Sequence, residues 1–158
     1  MYPELQALIH EAEFQYLNGE DLNKLSLEVS SLKDRIPAYK LLRDEEINIF
    51  QDIADDLVAQ FPRENPKEIE TSIRHWLVIM RYCSMAMMLN NHEFLEHRLL
   101  EWMTDIVQAH QSQHLFTAIY SLLITKLNKV LSNDELAHIQ PFLAQANDYL
   151  INSPILAN

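Results

Sequence analysis

The stretch Asn65-Pro-Lys-Glu-Ile-Glu-Thr-Ser72-Ile-Arg-His-Trp76-Leu-Val-Ile-Met80-Arg-Tyr-Cys83-Ser-Met-Ala-Met-Met-Leu-Asn90 decides the fold class. Asn65 is suited to cap a helix, Pro66 to be its first residue and Glu68 to sit in its first turn. Ile73, Trp76, Leu77, Met80, Ser84, Met87 and Met88 recur at helical spacing along one face. Ile79, Tyr82, Cys83 and Ala86 extend the apolar character around the cylinder. A helix apolar nearly all round belongs inside a protein, so residues from about 66 to 90 read as a buried central helix.

Helical patterns flank it on both sides. Pro3, Leu5, Leu8, Ile9 and Ala12 suggest a first helix, which Asn18-Gly-Glu-Asp21 ends. A second is expected from about Leu22 through Leu25, Leu27, Val29 and Leu32, stopping before Pro37. Asp44 is placed to cap a third, with Ile47, Phe50, Ile53, Ala54 and Leu57 facing inward and Glu45, Glu46, Asp52, Asp55 and Asp56 forming a solvated face until Pro62. After the Asn90-Asn91 turn, Phe94 to Ile106 and Leu115 to Val130 mark two more helices. Ser132-Asn-Asp-Glu135 opens the last as a capping box, and Pro141 is expected to kink or divide it. The expectation is one all-α domain of six to eight helices.

Composition narrows function by exclusion. The chain has 158 residues, one glycine and one cysteine. Gly19 alone cannot build a phosphate-binding loop or a dinucleotide fingerprint, and Cys83 alone allows neither an internal disulfide nor a cysteine-rich zinc site. A net charge of −11 repels phosphate backbones and anionic lipid, which argues against nucleic-acid binding. No apolar run approaches the roughly 20 residues of a membrane span, and no signal peptide is expected at the start, so the default location is the cytoplasm.

Candidate chemistry is sparse. His110 and His114 have ligand-like spacing but straddle what looks like a turn, so they read as surface histidines and no metal site is expected. His75, beside Trp76, reads as a partly buried histidine. Cys83 reads as a packed core thiol and the methionines at 80, 85, 87 and 88 as adaptable core or interface packing. No catalytic constellation emerges, and no enzyme is expected.

Three strings carry a resemblance. Ser72-Ile-Arg-His-Trp-Leu-Val-Ile-Met-Arg-Tyr82, Ala86-Met-Met-Leu-Asn-Asn91 and Leu95-Glu-His-Arg98-Leu-Leu resemble the central region of the phycobilisome proteins known as phycobiliproteins. Their subunits read Cys-x-Arg-Asp, Tyr-Tyr-Leu-Arg-Tyr, Tyr-Ala-x-x-Ala-Gly-Asp and Leu-x-Glu-Arg-x-Leu. Matches fall at Arg74, Arg81, Tyr82, Leu95 and Arg98, and Ala12 to Leu32, Arg35 and Ile47 to Ala54 agree more weakly.

The resemblance implies a globin-like phycobiliprotein fold over residues 1–158. Residues of about 1–35 would form an N-terminal helical pair that helps subunits pair, and about 40–153 the globin-like core. It places Ser72 where the family carries its bilin-bearing cysteine, His75 where an aspartate holds the pyrrole nitrogens, and Arg74 at a bilin propionate. It therefore implies a divergent cyanobacterial member without covalent chromophore, its vestigial pocket at Arg74 and His75 filled by Trp76, Ile79 and methionine side chains. Such a protein would act through contacts with phycobiliprotein or other phycobilisome-associated subunits, or with a second copy of itself, in antenna structure, assembly or turnover near the thylakoid face. The alternative from another class is a sensor or carrier binding a haem or bilin non-covalently in the same pocket.

Overall fold

The computed structural model describes residues 2–152, and these contain helices and connecting turns but no strand. The order is α1 (Pro3–Ala12), α2 (Gly19–Gln60), α3 (Pro66–Leu89), α4 (His92–Leu95), a π-helical turn (Glu96–Leu100), α5 (Glu101–His110), α6 (Gln113–Val130) and α7 (Asn133–Asn152). The architecture is all-α and globin-like. The central helix forms as its sequence dictates. Asn65 Oδ1 accepts from the Lys67 amide at 3.0 Å, and Asn90 closes the other end in the left-handed conformation at φ 45°. Between these caps Ile69, Ser72, Trp76, Ile79, Met80, Cys83, Ser84, Ala86 and Met87 are buried. Helices α2, α6 and α7 pack around α3 to cover them.

Three elements depart from the sequence pattern. The two helices expected on either side of Pro37 are one, α2, 42 residues and about 63 Å long. Pro37 removes one hydrogen bond to the Lys33 carbonyl, a cost of roughly 3 kcal/mol in a helix interior. Ala38, Leu42, Ile49, Phe50, Ile53 and Leu57, all buried, hold the helix to the core beyond that point. Asp44 consequently caps nothing and pairs with Arg43 at 2.7 Å on the surface. Ile47 is 80% exposed and Ile49 takes the inward position. The expected acidic face is partly paired, with Glu46 bound to Arg81 and Asp52 and Asp56 to Lys126.

The helix expected near Phe94 begins at His92, capped by Asn91 Oδ1 accepting from the Phe94 amide at 3.0 Å. It runs into α5 through the π turn, where Leu99 and Leu100 are both fully buried. Finally, Pro141 does not divide α7. Phe142, Leu143, Ala146 and Leu150 are buried beyond it, so packing holds the second half in line. The capping box forms as expected: the Ser132 amide donates to Glu135 Oε2 at 2.8 Å and the Glu135 amide to Ser132 Oγ at 3.2 Å.

The core cluster begins at Ala38 and ends at Leu150. Helix α1 and the first part of α2 lie outside it as a hairpin. Arg35 donates to the Tyr2 hydroxyl at 2.6 Å with its guanidinium 5.3 Å from the Tyr2 ring, so the start of α1 is tied to the middle of α2. The largest fully buried side chain among the described residues is Trp76. Replacing Trp76 by Ala should cost about 3–5 kcal/mol in urea denaturation, and a loss below about 1 kcal/mol would show that the core does not depend on it.

Candidate functional site

Helix α3 presents different residues to different neighbours, and this sorts the sequence-predicted site. Ser72 is buried. His75 is half-buried and meets His110 at the end of α5 (ring centroids 5.8 Å) and Phe116 of α6 (6.1 Å). Trp76 lies against Phe116 at 5.8 Å and stacks on Tyr120 at 5.9 Å. Arg74, one residue before His75, points out of the protein and pairs with Glu70 at 2.5 Å, one turn earlier. The structure therefore separates the two candidates: His75 faces α5 and α6, while Arg74 sits at the rim of the groove between α2 and α3. That groove, about 520 Å³, is lined by Phe50, Ile69, Ile73 and Leu77 among others.

Burial, and secondarily His110, hold the His75 pKa below the ordinary histidine value. His110 lies 3.9 Å from Glu68, and His114 lies 2.8 Å from Glu64, whose carboxyl the histidine holds below its usual range. His110 ends α5 and His114 lies in the first turn of α6, so the two do not share a helix. No group of three or more residues able to hold a metal occurs among the described residues.

Cys83 is fully buried, its thiol donating to the Phe142 carbonyl at 3.5 Å, and burial pushes its pKa up. It is therefore protonated and shielded, which makes it a poor nucleophile. Further along α3, Arg81 reaches back to α2 and grips Glu46 with two hydrogen bonds, Nε to Oε2 at 2.8 Å and the fork end to Oε1 at 2.5 Å. Tyr82 stacks on Phe94 at 6.3 Å.

Residues 8–153, nearly the whole chain, match the family model described as phycobilisome protein. The chain belongs to the phycobilisome protein family. Members of this family are structural light-harvesting proteins that assemble with other phycobilisome subunits and normally carry covalent bilins. A comparison with curated proteins returned no match. No helix among the described residues is long and apolar enough to cross a membrane.

The residues of this phycobilisome protein do not fit a covalently held bilin. A thioether needs an accessible thiol. The only cysteine is enclosed at position 83, while position 72 offers a buried serine hydroxyl. Arg74 spends its charge on Glu70. His75 offers one lone pair when neutral, where a carboxylate would offer two oxygens. Trp76, Phe116 and Tyr120 fill the space beside it.

Sequence reading missed the cavity around Tyr39, Leu42, Ser84 and Phe94, which draws on three separated segments. The bidentate Arg81–Glu46 pair, spanning 35 residues, had no local signal. The pH response of His75 follows from its geometry. The unfolded chain takes up a proton near pH 6.5 before the folded one does, so this contribution is intact above that pH and is lost as pH falls through it. Between pH 7.5 and 5.5 the change in melting temperature of His75→Gln should be less unfavourable than that of the native chain. An equal change in both would contradict a half-buried His75 that folding holds neutral.

Proposed function

We propose that this phycobilisome protein carries no covalent chromophore and works through protein contacts in the structure, assembly or turnover of the light-harvesting antenna. The observation that carries the reading is the N-terminal hairpin. Ile9, Phe14, Tyr16, Leu22, Leu27 and Val29 are all exposed on α1, the following turn and the start of α2, with Phe14 at 78% and Leu27 at 70%. A concentration of large apolar side chains on one projecting element marks an interaction surface. Residues of about 1–35 thus act as the pairing extension and residues of about 40–153 as the globin-like core. The partner is a phycobiliprotein or another phycobilisome-associated subunit, with a homodimer as the second mode, on the cytoplasmic side at the thylakoid face.

The loss of pigment rests on position 72 and on the packing around Trp76. Arg74 and His75 are then the remnants of a bilin pocket. The alternative, non-covalent haem or bilin binding by a sensor or carrier, has one observation in its favour: the Trp76 indole nitrogen is buried without a hydrogen-bond partner, next to His75. It would need Trp76 to leave a site where it is wholly enclosed, so the contact role is the better supported.

Co-sedimentation with isolated phycobilisomes tests the proposal. The native chain should sediment with them, and Phe14→Glu with Leu27→Glu, both at exposed positions, should weaken that association at least about tenfold. Unchanged association of the double variant, with helicity preserved, would place the contact elsewhere.

A further inference from the structure

We propose that the groove between α1 and the start of α2 seats an arginine or lysine side chain from a basic segment of a partner protein. That partner chemistry rests on the reading of the hairpin as the contact surface. Residues 3–30 carry six carboxylates against a single lysine, Lys24, so the projecting element bears a large part of the chain's net charge of −11. Four of those acids, Glu4, Glu11, Asp21 and Glu28, line the groove, which encloses about 370 Å³. Lys24 lines it too, but its ammonium is already held by Glu20 at 3.0 Å and Asp21 at 3.8 Å. Glu4, Glu11 and Glu28 form no ion pair among the described residues, and Glu11 accepts only from the neutral Gln15 amide at 3.0 Å.

Two of these carboxylates lie deep. Asp21 is 7% exposed, and Glu28 is half-buried with its Oε2 enclosed and accepting from no group. A buried carboxylate oxygen without a donor is costly and uncommon, and a guanidinium or ammonium entering the groove supplies the donor. The walls suit the rest of such a side chain. Ala7, Leu8 and Leu27 line the groove beside the acids, and Leu27, 70% exposed, belongs both to the groove and to the apolar surface of the hairpin. An arginine or lysine lays its methylene stem on such residues and keeps its charged head among the carboxylates. Pairing of two copies hairpin against hairpin would set like charges face to face, at a cost in free energy. The occupant is therefore a basic amphipathic segment of a different chain.

Calorimetric titration of the full chain tests it, with a helical peptide of about 18 residues built from leucine, alanine and arginine, and with a counterpart carrying glutamine for arginine. Saturable one-to-one binding of the arginine peptide is expected, at least about tenfold tighter than that of the glutamine peptide. Glu4→Gln with Glu11→Gln, both at exposed positions, should weaken it about tenfold. Glu28→Gln should weaken it as well, and Lys24→Gln should strengthen it. Asp55→Asn with Asp105→Asn, the same change of charge at exposed positions outside the hairpin, should leave it within about twofold. Equal affinity for the two peptides, indifference to the groove variants, or an equal loss from the variants outside the hairpin would each overturn the proposal. The contact role is read separately. If Phe14→Glu with Leu27→Glu releases the chain from isolated phycobilisomes while the groove variants do not, the hairpin remains the contact surface and the basic partner is overturned.

Discussion

The enclosure of α3 is the constraint on which the rest of the structure depends. A helix that buries Trp76, Ile79, Met80, Cys83 and Met87 needs cover on several sides at once. Helices α2, α6 and α7 provide it. That requirement explains why α2 continues through Pro37 and α7 through Pro141. Each proline forfeits a backbone hydrogen bond, but residues on its C-terminal side are buried against the core. Burial of a large apolar side chain yields roughly 1.5–3 kcal/mol, so two or three such residues outweigh one broken bond.

The same constraint sets what is left for function. Once α3 is sealed, its thiol is sealed with it, and Cys83 cannot meet a ligand without opening the core. Trp76 and its aromatic neighbours on α6 pack beside His75. What remains accessible lies at the edges: the apolar hairpin at the N-terminus, the α2–α3 groove and the cavity beside Tyr82. A family whose members assemble into antennae is thereby represented by a chain that offers surfaces more readily than a thiol.

The sequence made the central helix legible because its signals are local. Asn65, Pro66 and Asn90 act on neighbours within a few residues, and so do Ser132 and Glu135. The family was legible as well, through Arg74, Arg81, Tyr82, Leu95 and Arg98 in order, and the family match covers the same stretch. Elements settled by tertiary packing were not legible. The helix-breaking tendency of Pro37 is a local rule that distant burial overrides, and the π turn at Glu96–Leu100 leaves no periodic mark. Leu22, Leu27 and Val29 look like a core stripe, yet they face solvent because the core lies beyond Ala38. His75 was recognised as partly buried, but its partner His110 is set by how α5 ends against α3.

We propose that this phycobilisome protein keeps the fold without a covalent pigment. Co-expression with bilin-synthesising enzymes and a bilin lyase, followed by a visible spectrum of the purified chain in acidic urea, tests it most directly. No bilin band is expected in the denatured protein. A bilin absorption that survives denaturation and travels with the chain would contradict it.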